Sequence, residues 1–382
     1  MTPSTNPFRY GDLALDEAFT DRAQELEELK SDMRNGQNVV VFAPRRYGKT
    51  SLIWRAAHEL IRKREVLVAQ VDLMKAPTRE RLAAKLAASI YEDVASPLYR
   101  ARDRAMSIFR SLRVAPSITL DTDGSVGFTF QAGHSSADIH ATLEHLLELP
   151  ARLAAERDRR VAIVFDEFQE IVKIDRQLLP LMRSVFQEQP EVSHVYLGSK
   201  RHMMEEIFND ENEPFWRSAK HMELGVIPPK LFARFIRSRF TRTGRTAGAA
   251  IIESLLAITQ AHPYGTQELA YALWEVTPEG AAAGDAELAQ ALGRVLHSEN
   301  AHFQYVWGSA SRAQRVVMEA LARDPGRPPF ATAYRRAHNL PANSTVQRSL
   351  DALVQEELVE RDGSGYRIAE PFLAEWIRRG DL

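Results

Sequence analysis

The 382-residue chain carries 45% hydrophobic and 26% charged residues, a net charge of −2 and no cysteine. Such a length exceeds one ordinary domain and points to two or three, with the composition of a soluble globular protein. The charge gives no bulk attraction to nucleic acid, the lack of cysteine excludes disulfide scaffolds and thiolate metal sites, and no apolar run approaches the ~20 residues that span a bilayer.

Residues 1–7 hold no basic segment followed by an apolar one, so they do not read as a secretory signal and the cytoplasm is the expected location. A helix is expected over 21–34, with Asp21 near its start and Leu26 and Leu29 on its apolar side. A strand follows at 37–43, a helix at 48–63, a strand at 65–73 and an Ala- and Leu-rich helix at 78–95. Residues 97–135 then break the rhythm with an Arg-rich helical stretch and two runs, 117–120 and 126–130, around Asp123-Gly124. That pattern predicts a β-hairpin inserted on the core. Alternation resumes with a helix at 137–158, bent or broken near Pro150, a buried strand at 161–165, a helix at 176–189 and strands at 193–198 and 221–226. Continuous apolar strands separated by helices predict a five-stranded parallel sheet covered on both faces.

From Pro228 the chain turns helical, with segments near 229–242, 247–260, 265–276 and 285–304. Helices near 309–323, 331–339 and 344–357 and a hairpin over 358–368, turning at Asp362 to Gly365, then predict a winged helix-turn-helix. The expected domains are a core over 1–227 with its insertion at about 97–135, a helical lid over 228–304 and a winged helix domain over 305–382.

The most informative segment is the β-branched run at 39–42, which leads through Pro44, Arg45, Arg46 and Tyr47 to Gly48-Lys49-Thr50-Ser51 at a helix start. Loop amides at a helix N-terminus face phosphate oxygens, a lysine here reaches the β- and γ-phosphates, and the threonine hydroxyl ligates Mg²⁺. One position departs from the pattern: Ala43 stands where the first glycine belongs, and alanine tolerates most backbone conformations except positive φ.

The second motif is Asp166-Glu167 at the end of the 161–165 strand, where open α/β sheets bind ligands. Asp166 is placed to hold Mg²⁺ through its water shell and Glu167 to deprotonate an attacking water, against the alternative of a helix cap and first-turn acid. Ser199, after the 193–198 strand, is a candidate contact for the γ-phosphate or the water, or else a cap for the helix that follows. Arg217 can stabilise γ-phosphate charge or form a surface ion pair; Arg45 and Arg46 can meet nucleotide or a partner's acids. Pro263, in His262-Pro263-Tyr264-Gly265, is first a helix-start residue and second a surface for nucleotide. His134, His140 and His145 lack a compact ligand spacing.

In these residues the chain resembles the P-loop ATPases of the AAA+/STAND type that are abundant in archaea and common in bacteria. The resemblance is carried by Asn6 to Gly11, Phe19 to Leu26, Pro44 to Leu52, Phe165 to Gln169, Gly198-Ser199, Pro214 to Arg217 and His262 to Gln267. It implies an α/β core of strand order 5-1-4-3-2 that binds ATP or ADP, a helical lid, a C-terminal winged helix, and an adenine near Phe19 and Arg22. Trp216 replaces the glycine usual before that arginine.

A winged helix suggests DNA. The 344–357 helix, however, presents Asp351, Glu356 and Glu357 beside Arg348, leaving Arg335, Arg336, Arg361 and Arg367 to contact a backbone. The reading is therefore a Mg²⁺-dependent ATPase of slow hydrolysis that acts as a molecular switch on a protein partner or on copies of itself, with no membrane. Its rivals are a DNA-associated ATPase like origin-recognition initiators or transposition target-selection ATPases, and a non-hydrolysing scaffold.

Overall fold

The computed structural model describes residues 5–11, 22–95, 109, 112–120, 126–130, 135–362 and 365–380. Phe19, Asp21, His134, most of the Arg-rich stretch, the 121–125 turn and residues 363–364 of the wing turn lie outside them. The chain forms two compact units: one holds Arg22–Arg45 and Lys49–Gly225, the other Arg46–Gly48, the described N-terminal residues and the chain from Val226.

The first unit is built on a sheet of β1 (Val39–Phe42), β2 (Val66–Asp72), β3 (Arg160–Asp166), β4 (Val192–Gly198) and β5 (Lys220–Glu223). All neighbours pair in parallel, in the order β2-β3-β4-β1-β5, the 5-1-4-3-2 arrangement that the resemblance implies. β1 and β4 are buried along their whole length; β1 is an unbroken apolar run, while β4 also buries Ser193 and His194, which bond to Gln37 O and Asn38 Oδ1. Helices α1 (Ala23–Arg34), α2 (Lys49–Arg62), α3 (Arg79–Ser89), α4 (Ser136–Arg157), α5 (Ile171–Asp175), α6 (Leu178–Phe186) and α7 (Arg201–Asn209) complete the unit. The predicted hairpin is present as an antiparallel pair, 117–120 with 126–129, and Phe128 packs 5.0 Å from Phe109.

Three local expectations need correction. α4 runs through Pro150 as one helix rather than breaking there. The expected 78–95 helix is α at first and becomes a π-helical turn over Ile90–Ala95. The expected 176–189 helix is shorter, α6 over Leu178–Phe186, and a separate short helix, α5, precedes it.

The second unit contains α8 (Pro229–Arg242), α9 (Ala249–Thr259), α10 (Pro263–Val276) and α11 (Asp285–Ser309). It continues with α12 (Arg312–Arg323), α13 (Thr332–Ala337) and α14 (Asn343–Gln355), wing strands β6 (Val359–Asp362) and β7 (Gly365–Ile368), and α15 (Pro371–Arg379). One apolar cluster joins these elements, from Phe232 and Leu269 to Val317, Leu350 and Trp376. α15 went unpredicted although it carries both end signals, Pro371 at its first turn and Gly380 after it at φ +75°. Among the described residues no helix is long and apolar enough to cross a membrane.

Candidate functional site

Parallel pairing brings the carboxyl ends of β1, β3 and β4 to one edge, with β4 between the other two. At about 4.8 Å per strand, the ends of β1 and β3 stand roughly 10 Å apart across the tip of β4. The loop after β1, the acidic pair ending β3 and Ser199 after β4 therefore face one stretch of sheet edge.

In the loop, the residues with positive φ are Arg46 at +66° and Gly48 at +84°, while Ala43 is outside that set. Alanine at the first glycine position is thus tolerated because the backbone there does not demand a left-handed conformation. Lys49 is buried in the first turn of α2, and its Nζ donates to the carbonyl oxygens of Ala43 at 2.6 Å and Pro44 at 3.1 Å. The ammonium is folded onto its own loop, against oxygens that resemble phosphate oxygens in chemistry. Thr50 is half-buried and Ser51 buried behind it. Arg45 is exposed.

Arg46 and Tyr47 are described within the second unit. Arg46 Nη1 lies 3.2 Å from Glu370 Oε1, with its guanidinium 4.4 Å over the Tyr264 ring. Tyr47 is buried, its hydroxyl 3.3 Å from Glu360 Oε1 and its ring edge-on to His262 at 4.8 Å. His262 caps α10, its Nδ1 accepting from Gly265 N at 3.2 Å, and burial lowers its pKa to about 3. Pro263 occupies the first turn of that helix, the position at which its missing N–H goes unneeded.

Asp166 has its pKa raised to about 6, first by burial and then by the neighbouring Glu167 charge, with Asp72 adding to it and Lys49 opposing it. Asp72 was not singled out from the sequence. It pairs in register with Asp166 across β2 and β3, a neighbour that only strand order can reveal. Glu167 adopts a left-handed backbone, φ +52°, and its side chain makes no cap bond to the turn that follows. Instead its Oε2 accepts from Ser199 Oγ at 2.7 Å and from Gln169 Nε2 at 2.5 Å. The first residue of α7 is likewise capped by Lys200 without a side-chain bond, so Ser199 is turned toward Glu167 and not toward the helix.

Asp166 at the end of β3 and Thr50 in the first turn of α2 carry hard oxygen donors of the kind that suits a cation such as Mg²⁺. Among the described residues no group of three or more His, Cys, Asp or Glu forms a metal cage of its own. Mg²⁺ keeps several waters and takes substrate phosphates, so two protein donors are in character for it.

The other two candidates are placed differently. Arg217 has φ +51° and its guanidinium lies 4.9 Å over the Trp216 ring. Buried Arg22 donates to Gly225 O at 2.7 Å and pairs with Glu25 at 3.2 Å, tying the start of α1 to the loop after β5.

The sequence matches none of the curated proteins. In overall structure the chain is similar to the Walker-type ATPase PABY2304 of Pyrococcus abyssi, with a TM-score of 0.64, 17% identity, and 96% of this chain and 97% of that one covered. It is also similar to the ORC1 protein of Aeropyrum pernix solved in complex with DNA, with a TM-score of 0.51, 13% identity, and 99% and 98% covered. Residues 301–379 match a probable winged helix domain. Residues 19–227, more than half of the chain, match the ATPase domain predominantly from Archaea, and the chain belongs to that family.

Proposed function

We propose that the chain is a Mg²⁺-dependent ATPase that works as a nucleotide-controlled switch on a protein partner or on further copies of itself. The single observation that carries the reading is the sheet edge on which Lys49, the Asp166-Glu167 pair and Ser199 converge from three adjacent strands. The loop amides and Lys49 bind the phosphates of ATP; Thr50 and Asp166 hold the ion, which screens phosphate charge when bound. Glu167 takes a proton from water as the water oxygen bonds to the γ-phosphorus. The bond to the β–γ bridging oxygen breaks, and that oxygen leaves with the electron pair as ADP. Ser199 donates to Glu167 and stands beside the reacting phosphate. Arg217 reaches phosphate only after leaving Trp216. The division into a core over 1–227, a lid over 228–304 and a winged helix over 305–382 belongs to this reading, as does a cytoplasmic setting.

Phosphate release from Mg²⁺-ATP and binding of a fluorescent ATP analogue test it together. Lys49→Ala is expected to lose both, while Glu167→Gln keeps binding and loses turnover. Wild-type release no greater than that of Lys49→Ala rejects the ATPase. Identical protease digestion patterns in ATP and ADP reject the switch.

The winged helix match and a structural relative solved with DNA favour a second reading, a DNA-associated ATPase. The side chains of the winged helix oppose it, as argued below.

A further inference from the structure

Gln169 is 1% exposed, and its Oε1 has no hydrogen-bond partner although it is fully buried. An orphaned buried carbonyl is destabilising and calls for a reason. The other end of the same amide supplies one, because Nε2 donates to Glu167 Oε2 at 2.5 Å. Ser199 Oγ donates to that same oxygen at 2.7 Å. Two charge-assisted bonds occupy Oε2 and leave Oε1 as the oxygen available to water. Glu167 needs such a hold, since its left-handed φ of +52° is a conformation that a non-glycine residue keeps only when its surroundings impose it.

The neighbours are arranged around this contact. Phe168 is fully buried, 4.7 Å from Tyr196 and 5.5 Å from Phe215, which fixes the 3₁₀ turn Phe168–Glu170 carrying Gln169. Gly198 leaves room for the amide: a Cβ there would stand 2.8 Å from Gln169 Oε1 and would also run into Met204. The glycine before Ser199 thus admits the glutamine, and the serine completes the clamp.

We infer that Gln169 is a positioning residue for ATP hydrolysis, holding the Glu167 carboxylate, together with Ser199, in the orientation that activates water. The inference rests on the ATPase reading above and adds to it the residue that aims the base.

Gln169→Met keeps the volume and removes the donor. It is expected to lower kcat about tenfold to a hundredfold, with KM for ATP and the Kd of a fluorescent ADP unchanged. Its thermal midpoint should equal or exceed that of the wild type, because the orphaned carbonyl goes too. In a Glu167→Gln background the same substitution should cause no further loss of turnover, since there is no base left to aim. A wild-type kcat in Gln169→Met overturns the inference and leaves the ATPase reading standing. An equal fractional loss in both backgrounds, or a lowered midpoint with weakened ADP binding, also overturns it and assigns Gln169 a structural role. Absence of turnover in the wild-type chain overturns both.

Discussion

Glu268 lies in α10 at 3% exposure, with its Oε2 unpartnered, and its carboxyl is pushed up to about 8. Burial is the main cause, followed by the charges of Glu299 and Glu370, while Arg46 pulls the other way. Glu370 is itself raised, again chiefly by burial. The folded chain therefore retains a proton that the unfolded chain releases near the ordinary glutamate value of 4.5. Between those values the folded state binds more protons, so stability falls as pH rises from about 4.5 to about 8 and levels off above. Glu268→Gln abolishes this component. Its melting midpoint should match the wild type near pH 5 and exceed it near pH 9, measured by calorimetry in the absence of nucleotide. Parallel wild-type and variant curves would assign the slope to other groups, of which Asp166 and Asp93, both raised to about 6, are the candidates.

The turn Phe168–Glu170 joins packing to chemistry. Its phenylalanine belongs to a cluster with Phe165, Tyr196, Phe208 and Phe215, the last of these from the Pro214 to Arg217 segment. Phe168→Ala should destabilise the protein by about 3–5 kcal/mol in urea unfolding, and turnover should fall with it because Gln169 loses its platform. Gln169→Met separates the two effects, losing turnover alone. β1 and the middle of β3 were legible as the apolar runs that a buried parallel strand favours, while β4 was legible despite its buried Ser193 and His194, and the loop before α2 was legible because its chemistry is local in sequence. α4 is unbroken at Pro150 because a proline inside a packed helix can be outweighed by tertiary contacts. α7 begins without a side-chain cap, so the helix expected after Ser199 starts without Ser199 capping it, whereas α15 carries clear end signals in Pro371 and Gly380. Asp72 and Gln169 could not be assigned from spacing. The first depends on which strand lies beside β3, and the second on a side chain turning back two residues onto Glu167.

A net charge of −2 means that any grip on DNA must come from a local basic surface, and the winged helix is the place to look. Of the five arginines considered there, two are committed elsewhere. Arg335 donates from Nε and Nη2 to Pro341 O at 3.3 and 3.0 Å, and Arg367 pairs with Glu360 at 2.6 Å. Arg336, Arg348 and Arg361 are exposed, but Arg348 donates one bond, from Nε to Ser344 O at 3.3 Å, and Asp351 and Glu356, also exposed, accompany it along α14 and past its end. Three phosphate contacts correspond to a log–log salt slope of about −3 and to weak binding even at low salt. The full chain with ATP is therefore expected to leave a short duplex unshifted at about 50 mM salt, as measured by fluorescence anisotropy. A shift at that salt whose slope exceeds about −3 in magnitude would require cations outside this set, and would move the DNA-associated reading ahead of the protein switch.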